Sequence, residues 1–230
     1  MPPRPVEWPL AWRIIASRYP PIDLFERLTP DLAVWEALIA LEQLTNPRVR
    51  DDVGKIVLVP PYDRVAGPGA SYVMASFTHL NPKGSRFSDG TYGVYYAASE
   101  LETAVAETVF HFEAFARDSR DPPRREDMRV LVGAVAEHFD DVGALPEPQR
   151  TQILDPVSYA VAQGYAQEIR DAGANGVVYP SVRRAGGECL GAFKPRVVGV
   201  PHQERHLKYQ WNGDRVDRYF DYSRDAWIDV

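Results

Sequence analysis

The chain has 230 residues, 45% of them hydrophobic and 25% charged, with 26 Lys and Arg against 32 Asp and Glu for a formal charge of −6. These values are those of a folded globular chain and exclude a disordered, collagen-like or coiled-coil one, while a single cysteine excludes a disulfide framework or a Cys-based zinc cluster and suits a reducing, cytoplasmic compartment. The acidic balance weighs against direct nucleic-acid binding and anionic membrane surfaces, no stretch of about 18 apolar residues exists to span a bilayer, and the proline-rich, charged first ten residues do not read as a targeting segment.

Residues 10–15 (LAWRII) predict a first strand, ended by Tyr19-Pro20-Pro21. Apolar residues at 34, 35, 38, 41 and 44 predict a helix over 32–44, with Asp31 as N-cap and Asn46-Pro47 as its stop. A short apolar run follows at 55–59. Pro68 opens a second helix to about His79, and 81–91 is a Gly, Ser and Pro-containing loop. Residues 92–98 read as a strand. Ser99 and Glu102 have the spacing of a capping box ahead of a helix reaching about Ala116, whose stripe is Leu101, Ala104, Val105, Thr108, Val109 and Phe112. A strand at 129–136 is followed by a loop. Asp155-Pro156 caps a long helix to about Ala172, with Gly173 at its end. Short β-like runs follow at 176–179, 189–193 and 197–200, and 206–211 alternates apolar and polar. Strands and helices mix without regular βαβ alternation, so the fold class is α+β in a single domain spanning 1–230.

Within the helix after Ser99, Glu107 lies off the main stripe, beside Thr103, Phe110, His111 and Ala114, with no cation four residues away. It reads either as a solvated surface carboxylate or, since Ala106, Phe110 and Ala114 make that side apolar too, as a carboxylate with a task. Arg86 in Gly84-Ser85-Arg86-Phe87-Ser88 is either a surface arginine or an anion ligand on a flexible loop whose backbone approaches the same anion. Tyr96, on the strand feeding the helix, is either core or close to Glu107. Ser181, after Tyr179-Pro180, lacks a Gly-x-Ser-x-Gly elbow, so it reads as a turn serine or a ligand contact rather than a nucleophile. His202 and His206 lack the H-E-x-x-H pattern, His79, His111 and His138 read as structural, and Cys189 reads as core.

Together, Trp12-Arg13-Ile14, the Gly-Ser-Arg-Phe-Ser stretch, Val94-Tyr95-Tyr96-Ala97 leading into Thr103-Ala104-Val105-Ala106-Glu107, and Tyr179-Pro180-Ser181 resemble the RES domain, named for an arginine, a glutamate and a serine. The resemblance covers about 10–200. It leaves an insertion at about 20–80 and a C-terminal extension at about 201–230, which suit a homodimer, antitoxin or protein-substrate surface. It departs where the family often has Gly-Gly-Arg-Trp-Asn: Phe87 keeps the aromatic, but Ser88 lacks the amide.

The resemblance implies a fold like that of ADP-ribosylating toxins, with a mixed central sheet and flanking helices. It implies a toxin that takes NAD as substrate, splits the nicotinamide–ribose bond and passes ADP-ribose to phosphate, depleting NAD, and an Xre-type antitoxin that occludes the site. A protein-directed mono-ADP-ribosyltransferase, or an inactive binding module of the same fold, is the alternative. Glu107 would stabilise an oxocarbenium-like ribose, Arg86 with Arg13 would hold the diphosphate, Tyr96 would pack on the nicotinamide or its ribose, and Ser181 would bond the ribose or place the acceptor. Arg183, Arg184 and Lys194 are candidate ligands for phosphate. Because nicotinamide leaves as a neutral molecule the reaction needs no general acid, and the resemblance implies no metal.

Overall fold

A computed structural model describes residues 3–19 and 54–230, so the expected helix at 32–44 lies outside the described residues. Among the described residues, eight strands and four α-helices build an α+β fold around one mixed sheet. Its backbone is a long antiparallel ribbon of β1 (Arg4–Ala16) and β3 (Arg124–Asp141), paired from Arg4↔Phe139 to Ala16↔Met128. β1 is longer than its apolar core predicts. Pro9, which has no N–H to give, sits inside the register shift between Trp8 and Ala11, where the ladder is already interrupted. β3 likewise outruns the expected 129–136, because both polar ends are held in ladders, 124–128 by β6 (His202–Trp211) and 136–139 by β1.

β2 (Tyr95–Ala98), β5 (Glu188–Ala192) and β4 (Gly176–Pro180) form a three-stranded antiparallel unit. It meets the ribbon in two places: Asp140 and Asp141 of β3 run parallel to Val177 and Val178, and Trp12 of β1 pairs with Ala98 of β2. Pairing therefore returns on itself through β1, β2, β5, β4 and β3. A single residue pair joins β1 to β2, so these two strands splay and leave a cleft. On the opposite side β6, β7 (Val216–Asp221) and β8 (Ala226–Asp229) extend the sheet antiparallel.

Two cores sit on the two faces, sorted by the period of two along each strand. Tyr95, Ala97, Val178 and Leu190 face α1 (Ala70–Thr78), with Val73, Met74 and Phe77. Ala98, Val130, Val177, Tyr179 and Cys189 face α2 (Leu101–Asp118). Leu101, Ala104, Val105, Val109, Phe112 and Ala116 give α2 its buried stripe. Phe112 meets the edges of Tyr209 and Trp211, both on β6, so the strands after residue 201 share the main core. Truncating Phe112 to Ala would cost about 3–5 kcal/mol.

Several boundaries move. Ser99 and Glu102 form no capping box: the N-cap is Glu100, and Ser99 is drawn to β5, its N–H donating to the Glu188 carbonyl at 3.0 Å. Asp155 caps a turn rather than a helix. Its carboxylate accepts from the N–H groups of Val157 and Ser158, and α4 (Ala160–Asp171) starts five residues later. A short helix α3 (Gln149–Ile153) precedes it, where a loop was expected. Tyr92 to Val94 lie outside β2, because Gly93 packs its backbone on Ser76 and Phe77. The β-like run expected at 197–200 is not a strand, Val197 closing the 3-10 turn Pro195–Val197, and the apolar run at 55–59 holds a second such turn, Ile56–Leu58. No helix among the described residues is long and apolar enough to cross a membrane.

Candidate functional site

The cleft between β1 and β2 is a cavity of about 240 Å³, open to solvent and lined on one side by α2. Ala104, Glu107, Thr108 and His111 line it at positions i, i+3, i+4 and i+7, one stripe of the helix. Glu107 thus borders the buried stripe rather than lying opposite it. Trp12, Arg13 and Ile14 come from β1, Tyr96 to Ala98 from β2, and Tyr179 and Cys189 from adjacent positions on β4 and β5. Ser85, Arg86 and Tyr159 complete the wall.

The half-buried Glu107 carboxylate is held by one oxygen. Oε1 accepts the Ser181 hydroxyl at 2.6 Å and the Cys189 thiol at 3.8 Å, while Oε2 has no partner among the described residues. The Ser181 hydroxyl is fixed in turn, because its oxygen accepts the backbone N–H groups of Arg183 at 3.2 Å and Arg184 at 3.1 Å. With those lone pairs engaged, its one proton points at Glu107. Burial, and then the charge of Glu107, push the Cys189 thiol far above its ordinary value, so it stays protonated and able to donate.

Arg86 is 7% exposed. Its Nη1 donates to the carbonyls of Asp155 at 2.8 Å and Ile153 at 3.2 Å, and its guanidinium lies over the Tyr159 ring, 4.5 Å from the centroid. The stretch around it is not a flexible anion cradle. Ser85 N–H donates to the Ser88 carbonyl at 2.7 Å, Phe87 N–H donates to the Tyr96 hydroxyl at 3.0 Å, and Phe87 is driven fully into the core against Tyr179. The N–H groups of Gly84, Ser85, Phe87 and Ser88 are consumed internally, and what the loop presents to the cavity is the Arg86 side chain. The Tyr96 hydroxyl, also bonded to Ser85 Oγ at 2.8 Å, ties the loop to β2. Burial raises its pKa beyond the reach of any ordinary pH, so it remains a neutral hydroxyl.

Arg13 crosses from β1 with Nη1 donating to the Tyr96 carbonyl at 2.9 Å and its guanidinium 4.6 Å from the Tyr95 ring centroid. Burial lowers its pKa, though a guanidinium stays charged. Among the described residues neither Arg13 nor Arg86 forms a salt bridge, whereas Arg4, Arg124, Arg150, Arg184, Arg196 and Arg205 all do. Two guanidiniums with no carboxylate partner among the described residues thus share one cavity, an arrangement able to receive an anionic ligand.

Of the residues singled out in the sequence, Arg13, Arg86, Tyr96 and Glu107 line this one cavity, and Ser181 stands behind Glu107. The three phosphate candidates are engaged elsewhere. Arg183 donates to the Pro156 carbonyl at 2.6 Å and stacks on Phe110, Arg184 pairs with Glu100, and the Lys194 ammonium donates to the Gly173 carbonyl at 2.6 Å. Tyr159, Tyr179, His111 and Cys189 were not read as site residues. For Tyr179 and Cys189 the period of two was the usable signal, since they are register partners across β4 and β5. Tyr159 follows an Asp-Pro turn and carried no signal.

Comparison with known proteins finds a family model described as the RES domain matching residues 61–212. The uncharacterized protein y4oC of Sinorhizobium fredii (strain NBRC 101917 / NGR234) is 31% identical over 205 residues, covering 89% of this chain and 84% of that protein. Among solved structures, the crystal structure of the M. tuberculosis MbcT-MbcA toxin-antitoxin complex aligns with a TM-score of 0.46 at 12% identity, covering 91% of this chain and 87% of that one.

Proposed function

The chain belongs to the RES-domain family, and from that membership and the cavity we propose that it is a toxin-type enzyme that binds NAD, cleaves its nicotinamide–ribose bond and transfers ADP-ribose to phosphate. The observation that carries the reading is the Glu107 carboxylate, held through Oε1 by Ser181 and with Oε2 unpartnered among the described residues, in a cavity shared with two arginines that have no carboxylate partner.

Nicotinamide leaves a cationic pyridinium as a neutral molecule, so the leaving group needs no proton. The barrier lies in positive charge developing on the ribose, as in an oxocarbenium-like transition state. A fixed carboxylate beside that carbon stabilises it without reorganising, an effect worth a few kcal/mol in a cleft poor in water. Glu107 takes that role, and Ser181 acts through it as a positioning residue. A cavity of about 240 Å³ holds the nicotinamide end of a dinucleotide rather than the whole of it. Trp12, Tyr96 and Tyr179 give the flat apolar walls that the ring and its ribose need. Arg86 and Arg13 face the diphosphate, and Tyr159 keeps the Arg86 plane fixed. A cognate antitoxin that covers this cleft is the partner such a toxin requires.

The test is incubation of the purified chain with NAD, with and without inorganic phosphate, and identification of products by mass. ADP-ribose 1″-phosphate is expected. Free ADP-ribose in the presence of phosphate would make the protein a glycohydrolase, a labelled protein would make it a transferase, and no release of nicotinamide would overturn the proposal.

A further inference from the structure

Arg183, on the turn between β4 and β5, does not line the cavity, yet two parts of the site meet at it. Its backbone N–H donates to the hydroxyl oxygen of Ser181, which in turn holds Glu107. Its side chain serves the other part. The guanidinium stands 3.3 Å from the centroid of the Phe110 ring on α2, and Nη2 donates to the Pro156 carbonyl at 2.6 Å and lies 3.5 Å from the Tyr159 hydroxyl. Pro156 and Tyr159 belong to the turn at 154–159 between α3 and α4. Arg86 grips the same stretch through the carbonyls of Ile153 and Asp155, and lies over the Tyr159 ring. Little else holds this turn. Leu154 packs on the core, but Pro156, Val157 and Ser158 are exposed, Val157 to 87%, so apolar packing does not fasten its tip. Its other hydrogen bonds among the described residues are internal or run to the adjoining helices: Asp155 takes the N–H groups of Val157 and Ser158, and the Tyr159 carbonyl takes that of Gln163. Two arginines from separate loops therefore clip the turn to the fold, and Tyr159, its residue in the cavity wall, sits between them.

We propose that Arg183 is a positioning residue of this site: it holds the 154–159 turn against α2, and so keeps Tyr159 stacked on Arg86 and the Arg86 guanidinium aimed into the cavity. The inference deepens the NAD-cleavage reading and rests on it for what Arg86 binds. Only arginine suits the place, because a guanidinium offers a flat face to Phe110 and an N–H to a carbonyl at once, whereas an ammonium has no plane and stays strongly hydrated. The two ends of Arg183 act on different steps. Any residue but proline at this position supplies the N–H that fixes Ser181, so the support of Glu107 survives substitution. The guanidinium alone holds the turn, so its loss falls on Arg86 and on the grip of the ligand.

The experiment follows NAD kinetics in the full chain for wild type, Arg183→Ala, Arg183→Lys, Arg86→Ala and the double variant Arg86→Ala, Arg183→Ala, with amide hydrogen exchange read on the same proteins without ligand. Melting curves check folding, and Arg183→Lys keeps the test open should alanine not fold. Arg183→Ala should raise the NAD KM about tenfold and leave kcat within about twofold, and the Val157 and Ser158 amides should exchange faster. Arg183→Lys should stay nearly as impaired; a wild-type KM with lysine would mean that charge alone draws the ligand in, and the positioning role falls. In the Arg86→Ala background the loss of Arg183 should raise KM no further, since its effect passes through Arg86. Fully additive losses, or an unchanged KM in Arg183→Ala, overturn the proposal, and faster exchange with an unchanged KM reduces Arg183 to a clip without a part in the site. Calorimetry with ADP-ribose on the same variants separates the two readings. If the wild type releases no nicotinamide yet binds ADP-ribose about tenfold more tightly than Arg183→Ala does, the enzymatic reading fails and the positioning role stands; if it binds neither NAD nor ADP-ribose, both fail.

Discussion

At the β6–β7 end of the sheet, Asp221 is fully buried and its charge is answered: its carboxylate accepts from Arg205 Nη1 at 2.8 Å and from Ser223 N–H at 2.8 Å and Oγ at 2.7 Å. At the β1–β2 end, Arg86 is buried and Arg13 half-buried, and both have only carbonyls and rings for company. The first arrangement answers its charge from within the fold, and the second, among the described residues, does not. Burying a charge is costly unless something compensates it, so a buried cation lacking an anion points to a partner that arrives from outside. The ladders agree with the charges: β6, β7 and β8 pair along most of their length, with one register shift at Gln210 and Trp211, whereas one residue pair joins β1 to β2.

That contrast is broken most severely at Glu107. Glu107→Gln removes the charge in the cleft while keeping the shape and the Ser181 contact. Nicotinamide release should fall about 10³-fold with little change in melting temperature; wild-type turnover by a folded variant would remove Glu107 from the mechanism. The mirror change is Asp221→Asn. It should lower unfolding stability by about 3 kcal/mol and leave NAD turnover per folded molecule unchanged. Burial alone would raise the Asp221 carboxyl, but hydrogen bonds from Ser223 and Arg205 outweigh it and hold the group below its ordinary value. Its ionised form therefore stabilises the fold above about pH 4, where an unfolded Asp titrates, and that contribution fades as the pH falls through the lower folded value. Melting curves of wild type and variant should converge in acid; a gap independent of pH would mean that packing, not charge, sets the cost. Arg86→Ala comes next, with an NAD KM raised about 10–100-fold, the span of a lost charge-assisted bond. An unchanged KM would confine Arg86 to holding the turn at Ile153 and Asp155.

The same contrast explains what the sequence disclosed. The α2 stripe was legible because helical spacing reports burial, and β2 and β5 because short apolar runs between turns report strands. The ends of β1 and β3 were not, since their polar and proline residues are kept extended by ladders to distant strands. The start of α4 was misplaced because Asp155 caps a turn with the same carboxylate geometry that caps a helix. Within the site, Arg86, Tyr96 and Glu107 were legible as a set, but their division of labour was not. Tyr96 spends its hydroxyl on the loop of Arg86, and that bond spans residues 85 to 96, a register no local pattern encodes.

Ser181 carries the smallest and most discriminating prediction. Sequence reasoning gave it a contact with ribose or acceptor, whereas its proton goes to Glu107 Oε1 and its lone pairs to the N–H groups of Arg183 and Arg184. A residue that binds substrate changes KM when lost; one that orients a carboxylate changes kcat. Ser181→Ala should therefore lower kcat about tenfold, the value of one hydrogen bond to a charged group, and leave the NAD KM within about twofold. Because Cys189 still donates to the same oxygen, the carboxylate is loosened rather than released. The double variant Ser181→Ala, Cys189→Ala should then lose more than the two single losses combined, since each remaining donor limits the freedom the other would have allowed. Strictly additive losses would mean that the two donors act on Glu107 independently, and a rise in KM would return Ser181 to the substrate.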